Sequence, residues 1–284
     1  YGISVDIEDM RRSAAMAKVQ SAALNEFLTK RLNVWVNADS AWMNMLAWDA
    51  CADRSLKEED FRGEPCVVAL DAAFKKDLFA KVKVFQRGRD VYVFGRYYMP
   101  QALLERRGWE QIAGWAREGF IRTTPGEVLD IEAVREDLIG SEASRKRGVE
   151  DHRLQGDVEG DMTCFEVKEV AFDPAQLTQF AGEMMEDGAT MVEMRPLVLN
   201  FSPAMKELDE LVAGKRFHHN GDPVLAWAIS NVVCHYDAKD NIYPRKESVD
   251  QKIDPAIALI MALARSLVSQ ETDSIYNERG IIVA

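Results

Sequence analysis

The clearest pattern along the chain is a short apolar run followed by an alternating one. Residues 66–71 are apolar up to the final carboxylate of Asp71, which predicts a strand buried on both faces. Across residues 78–84, apolar positions alternate with a second set that includes Lys81 and Lys83, the pattern of a half-buried strand. The residues between the two runs, 72–76, are enough for a hairpin connection.

The pattern further along predicts a mixed sheet. A third strand at residues 91–98 follows a short turn and completes an antiparallel meander. Strands at residues 166–173 and 190–194 flank a helix at 175–187, the arrangement of a parallel pair with a crossover helix. The remaining predicted elements are helices at 100–119, 130–147, 203–213 (capped by Ser202), 223–233 and 254–264, with turns at 123–126 and 241–244.

The amino-terminal part has helical spacing. Residues 6–50 predict helices, and the charged stretch 54–65, which contains Gly63 and Pro65, is typical of a linker. We therefore predict a helical arm and linker at residues 1–60 and the main domain at residues 61–284.

Composition limits the function classes only loosely. The chain has 284 residues, 47% of them hydrophobic, and a formal net charge of −12, which still permits a local basic patch for nucleic acid. Its four widely spaced cysteines form no CxxC pair and are expected to be free thiols. No apolar run is long enough for a membrane span, no signal peptide is expected, and the initial Tyr indicates a fragment or processed product.

Three aspartates fall where this order of elements predicts convergence. Three antiparallel strands, helices, a strand–helix–strand unit and a final apolar helix match the RNase H-like architecture, an α/β mixed sheet flanked by helices. Such a fold brings Asp71, Asp173 and Asp254 together at two strand ends and a helix start. Converging carboxylates repel one another unless a cation joins them, and oxygen ligands favour Mg²⁺ or Mn²⁺. Two such ions support phosphodiester hydrolysis.

Each acid also has a simpler interpretation. The simpler role of Asp71 is to start a turn, that of Asp173 before Pro174 is to form one, and that of Asp254 is to cap its helix. Asp77 is a fourth acid, placed to act as an outer-shell participant.

The late part of the chain resembles a known family. The stretch 217–227 opens Phe-His-His-Asn-Gly-Asp-Pro, and it is followed by Ser230-Asn231 and by 241–246. Residues 252–259, Lys-Ile-Asp-Pro-Ala-Ile-Ala-Leu, open the last helix. Together these motifs resemble the carboxy-terminal nuclease part of the large terminase subunit of tailed bacteriophages. Residues 31–35 and 47–51 resemble the helical stretch before that nuclease.

The resemblance implies a metal-dependent endonuclease that cuts double-stranded phage DNA in the host cytoplasm, with Asp71, Asp173 and Asp254 as the catalytic and metal-binding acids. It also implies the small terminase subunit, the portal and a motor ATPase domain as partners. The chain has no G-x-x-x-x-G-K-[ST] motif, so we expect cutting without ATP-driven pumping. A docking module with little cleavage and an RNase H-like resolvase or integrase remain alternatives.

Four further residues stay open as participants. His218 and His219 are more typical of hydrogen-bonding roles than of ligands to a hard metal, and Arg245 and Lys246 are candidates for phosphate contacts or a solvated pair.

Overall fold

The computed structural model describes residues 6–17, 21–33, 42–72, 77–141, 159–248 and 251–278. Most of the predicted 72–76 connection and the end of the helix predicted to reach residue 147 lie outside these ranges. Within them, no helix is long and apolar enough to cross a membrane.

The described elements include the predicted strands in their predicted order, together with strands at residues 121–124, 217–219, 232–236 and 242–246 that the pattern did not predict. The strands are β1 (Pro65–Asp71), β2 (Phe79–Arg87), β3 (Asp90–Pro100), β4 (Ile121–Thr124), β5 (Glu166–Phe172), β6 (Met191–Glu193), β7 (Phe217–His219), β8 (Val232–Tyr236) and β9 (Ile242–Lys246). The helices, numbered among the described residues, are α1 (Ile7–Ala17), α2 (Ser21–Leu32), α3 (Met45–Asp49), α4 (Glu110–Arg117), α5 (Glu132–Ile139), α6 (Asp161–Cys164), α7 (Pro174–Glu186), α8 (Val198–Ala213), α9 (Pro223–Ser230) and α10 (Asp254–Glu278). Single 3₁₀ turns lie at Glu58–Phe61 and Gln101–Glu105.

The sheet combines an antiparallel centre with parallel strands. Its order is β4-β3-β2-β1-β5-β6, and β7 pairs with the other end of β3. The predicted meander is confirmed, because β2 pairs antiparallel with both β1 and β3. The predicted parallel pair is confirmed as well, since β5 and β6 run parallel with α7 between them in the chain. The hairpin β8–β9 forms a separate two-stranded sheet.

Apolar side chains cover both faces of this sheet. One face packs against α8, α9 and α10, with Phe201, Leu225 and Ile260 fully buried. The opposite face packs against α5 and α7, where Leu138 and Leu177 are fully buried. The sheet is therefore a central layer between helices, as predicted.

The prediction that β2 is half-buried is wrong. Lys81 and Lys83 are 1% and 4% exposed, although they lie on the face that alternation assigned to solvent. Both ammonium groups contact the carboxylate of Asp161, and Lys83 also contacts Glu58. Buried charges are tolerated when they are paired. These four side chains, Lys81, Lys83, Asp161 and Glu58, form what we call the rear cluster.

Three local predictions are also wrong. Ser202 does not cap a helix; it is buried within α8, and its hydroxyl accepts the N–H of Ile242 at 3.1 Å. Residues 242–244 belong to strand β9 rather than to a turn, because β8 supplies the backbone partners. Residues 123–124 likewise pair with β3 as part of β4.

The segment after the first two helices packs on the sheet. Met43 and Trp48 are buried in the core, and the Trp48 ring stacks on His219 with centroids 4.7 Å apart. Asp53 donates its backbone N–H to the carbonyl of His219 at 2.8 Å. The boundary at residue 60 stays a prediction.

Candidate metal centre

Parallel pairing of β1 with β5 sets the first two acids side by side. Leu70 lies opposite Phe172 in the register, so the next residue of β1 and the residue after β5 leave the same edge of the sheet. These residues are Asp71 and Asp173. Asp173 also accepts the N–H of Ala175 at 3.1 Å and caps α7, so its turn-forming role and its place at the edge coexist.

The third acid reaches this edge from the last helix. Asp254 is the first residue of α10, and the apolar length of α10 packs across β1 and β2. The carboxyl group of Asp254 faces Asp71 and Asp77 and shares a hydrogen bond with Asp77. All three predicted acids therefore lie at the same edge, with the predicted outer acid among them.

The crowding of these acids changes their protonation. Burial raises the pKa of Asp71 to about 7, and the neighbouring charges of Asp173 and Asp77 add to the effect. The pKa of Asp254 is held well above its usual range by burial first and then by Asp71 and Asp77. Both shifts favour the protonated form of the acid, and a bound cation would oppose them.

One lysine enters the group. Lys252 is 7% exposed, and its Nζ lies 3.0 Å from Oδ2 of Asp77. The same Nζ lies 5.5 Å from the centre of the Trp109 ring. Five described side chains, four acids and this lysine, form what we call the edge cluster: Asp71, Asp77, Asp173, Asp254 and Lys252.

The carboxylate oxygens of the edge cluster are suitable ligands for a hard divalent cation, but they are not arranged as a coordination site. Within the described ranges, no group of three or more Asp, Glu, His or Cys side chains is arranged to hold a metal ion. The carboxyl group of Asp254 instead hydrogen-bonds that of Asp77, and Asp77 is paired with Lys252. Carboxylate oxygens are the ligands that Mg²⁺ and Mn²⁺ prefer. The roles of Asp71, Asp173 and Asp254 as ligands therefore stay predictions.

The hairpin β8–β9 borders the edge cluster. Tyr243 on β9 donates its hydroxyl to the carbonyl of Pro196 at 2.9 Å. Burial raises the pKa of Tyr243; the positive charge of Arg245 opposes this rise, whereas the charges of Asp173 and Asp71 add to it. Tyr243 thus lies within electrostatic range of both the acids and an exposed arginine.

The two histidines lie at the other end of the sheet. His218 is opposite Tyr92 on β3, near the start of that strand, whereas Asp71 leaves the far end of β1. Nε2 of His219 lies 3.0 Å from the carbonyl of Trp48, and its Nδ1 accepts the N–H of Gly221. Both histidines therefore have hydrogen-bonding roles outside the edge cluster.

Sequence reasoning missed the role of Lys252 and the nearness of Tyr243. Both residues lie inside motifs that the sequence singled out, but a motif does not state which side chain turns toward which acid. The rear cluster was missed for a different reason, because its lysines follow the alternation of a solvent-facing strand.

Comparisons with known proteins agree with this geometry. Protein YmfN of Escherichia coli strain K12 is 30% identical over 288 residues, covering 96% of this chain and 59% of that protein. The large terminase subunit of Enterobacteria phage HK97 is 27% identical over 262 residues, covering 90% of this chain and 47% of that protein. The chain therefore spans about half the length of the curated relatives that it matches.

A solved structure supports the fold class. The crystal structure of the HK97 bacteriophage large terminase matches 93% of this chain and 52% of its own, with a TM-score of 0.62 and 25% identity. The α/β, RNase H-like arrangement predicted from the sequence is thereby confirmed. Residues 1–270 match the family described as the endonuclease domain of the terminase large subunit. The chain belongs to the endonuclease domain family of the terminase large subunit, the family that its late motifs resemble.

Proposed function

We propose that this chain is a divalent-metal-dependent endonuclease that cuts double-stranded DNA during phage genome packaging. The observation that carries the proposal is the edge cluster, in which, among the residues that the structure describes, four acids share one side of the sheet with one lysine. Family membership supports the nuclease assignment. The excess of negative charge supports the dependence on metal.

Asp71, Asp173 and Asp254 would hold Mg²⁺ or Mn²⁺, with two ions expected. Bound there, the ions would activate a water molecule and stabilise the leaving oxygen of the phosphodiester. Asp77 would act outside the coordination sphere, because its carboxylate is already paired with Lys252.

The residues of the chain itself orient these groups. The N–H of Ala175 donates to Oδ1 of Asp173 at 3.1 Å and so orients this carboxylate at the sheet edge. The backbone N–H of Ala72 donates to the Asp71 carboxylate and favours its ionised form. Burial works against that form, and a bound cation would favour it.

DNA would approach along the hairpin side of the cluster. Arg245 and Lys246 are exposed on β9, the strand of Tyr243, whose pKa is raised by burial and by the charges of Asp173 and Asp71. Guanidinium and ammonium groups bind phosphate oxygens and position a duplex without reading its sequence. This local basic edge supports DNA binding despite the overall charge of −12.

The partners follow from the family. We propose the small terminase subunit, the portal and the motor ATPase domain as partners, and the host cytoplasm as the site of action. Because the matched relatives are about twice as long, the activity of the whole motor is part of this proposal rather than a property of the chain.

Nicking of a supercoiled plasmid tests the assignment. Wild-type protein should nick in millimolar Mn²⁺ or Mg²⁺ and not in EDTA, and Asp71→Asn should nick at background rate. Asp90→Asn is the matched control, because Asp90 is an acid at the opposite end of the same sheet, paired with His218. Inactivity of the folded wild type in both metals would favour a docking module. Strong preference for branched DNA would favour a resolvase.

A further inference from the structure

Asn231 is a buried polar residue that lies in the late motifs but is not part of the edge cluster. It lies at the carboxy-terminal cap of α9 and is 1% exposed. Its Nδ2 donates to the carbonyl oxygen of Lys252 at 3.1 Å, across 21 residues of sequence. Buried amides without partners are costly, so this bond holds two separate segments together.

The helix that carries Asn231 is itself fixed to the sheet. Asp222 caps the start of α9 by accepting the N–H groups of Val224 and Leu225 at 2.8 and 3.2 Å. Its other oxygen accepts the hydroxyl of Tyr97, on β3, at 2.7 Å. The start of α9 is thus hydrogen-bonded to β3, and its end is hydrogen-bonded to the segment before α10.

The carbonyl that accepts the hydrogen bond of Asn231 belongs to Lys252, two residues before Asp254. Lys252 extends its side chain from this position to Asp77, and Ile253 accepts the N–H of Ile257 at 2.9 Å in the first turn of α10. The position of this short backbone segment therefore sets both the entry point of Asp254 and the base of the Lys252 side chain. A loose carbonyl here would let both groups move.

We propose that Asn231 is a positioning residue of the metal centre, holding the 252–254 segment so that Asp254 meets the other acids. This inference rests on the proposed function, because it needs Asp254 to be a ligand. Hydrogen bonds that orient ligands from outside the coordination sphere typically change metal affinity by about 10–100-fold. Asn231 acts one step further back, through the backbone, so the lower end of that range applies.

Calorimetric titration of the chain with Mn²⁺ alone tests the proposal, at a temperature where circular dichroism shows each variant folded. Asn231→Ala should weaken Mn²⁺ binding by about 10-fold. Asn231→Ser keeps a donor on a shorter arm and should restore part of the affinity. Asn44→Ala is the matched control, since Asn44 is a buried cap that binds the N–H groups of Leu46 and Ala47 in α3.

A purely structural role predicts a different result. If Asn231→Ala and Asn44→Ala both lower the melting temperature and both retain the wild-type dissociation constant, the positioning role is overturned while the proposed function stands. If the wild type binds no Mn²⁺, both the proposed function and this inference fail. If Asn231→Ala does not fold, the Asn231→Ser variant decides: an unchanged dissociation constant overturns the inference, and a weaker one supports it.

Discussion

Replacing Asp71 by asparagine should stabilise the metal-free protein at neutral and alkaline pH. Burial and two neighbouring acids raise the pKa of Asp71 from 3.8 to about 7. Between these values the unfolded chain has released a proton that the folded chain still holds, so the free energy of unfolding of the wild type falls as pH rises. Asparagine has nearly the same shape and no such proton, and its side-chain oxygen can still accept the N–H of Ala72.

The size of the effect follows from the pKa difference. About three units at about 1.4 kcal/mol per unit give roughly 4 kcal/mol above pH 7, and close to zero below pH 4. Relief of Asp254, whose pKa the charge of Asp71 also raises, acts in the same direction. Because the acid is not fully sealed from water, roughly 4 kcal/mol is an upper value.

Urea unfolding in EDTA at several pH values between 4 and 8 measures this difference. We expect the two midpoints to coincide at the acid end and the Asn variant to become progressively more stable toward pH 8. An advantage of the Asp71→Asn variant that is equal at all pH values, or a less stable variant at pH 8, would refute the electrostatic account of the edge cluster.

Three further outcomes follow from the same clusters. Millimolar Mn²⁺ should raise the melting temperature of the wild type by about 3–10 °C, and Asp254→Asn should remove most of this shift. Thermal melts of both proteins with Mn²⁺ and with EDTA measure the two shifts, and equal shifts would show that Asp254 is not a ligand. Lys83→Met should lower the free energy of unfolding by about 3–5 kcal/mol, because it leaves Glu58 and part of Asp161 unpaired in the rear cluster. Adding Glu58→Gln in a double-mutant cycle should recover part of that loss, and strictly additive effects of the two changes would argue against the pairing. Nicking should be indifferent to sequence and should weaken steeply with salt, because phosphate contacts release counterions; one preferred site at moderate salt would contradict this.

The sequence predicted the central sheet well because its strands follow simple rules. The apolar run ending at Asp71 predicted a buried strand, and the Asp173-Pro pair marked the end of another. The late motifs located Asp254. Each of these signals is local, so each can be read without knowing the fold.

The errors arose where a residue is satisfied by a distant partner. Lys81 and Lys83 alternate like surface residues, yet Asp161, far along the chain, neutralises both. Ser202 resembles a helix cap, yet its hydroxyl serves the backbone of Ile242 on a different strand. No local pattern encodes such pairs, because the partner is chosen by packing.

The two charged clusters differ in a way that separates structure from function. The rear cluster has two lysines and two acids, and every charge is paired within it. The edge cluster, within the described part of the chain, has four acids and one lysine, and burial and mutual repulsion raise the pKa of Asp71 and Asp254. A balanced buried cluster needs nothing more to be stable, whereas an unbalanced one carries a cost that a bound cation removes. Under the proposed function, the edge cluster is therefore where the fold gives up stability for cation binding, whereas the paired charges of the rear cluster serve the fold alone.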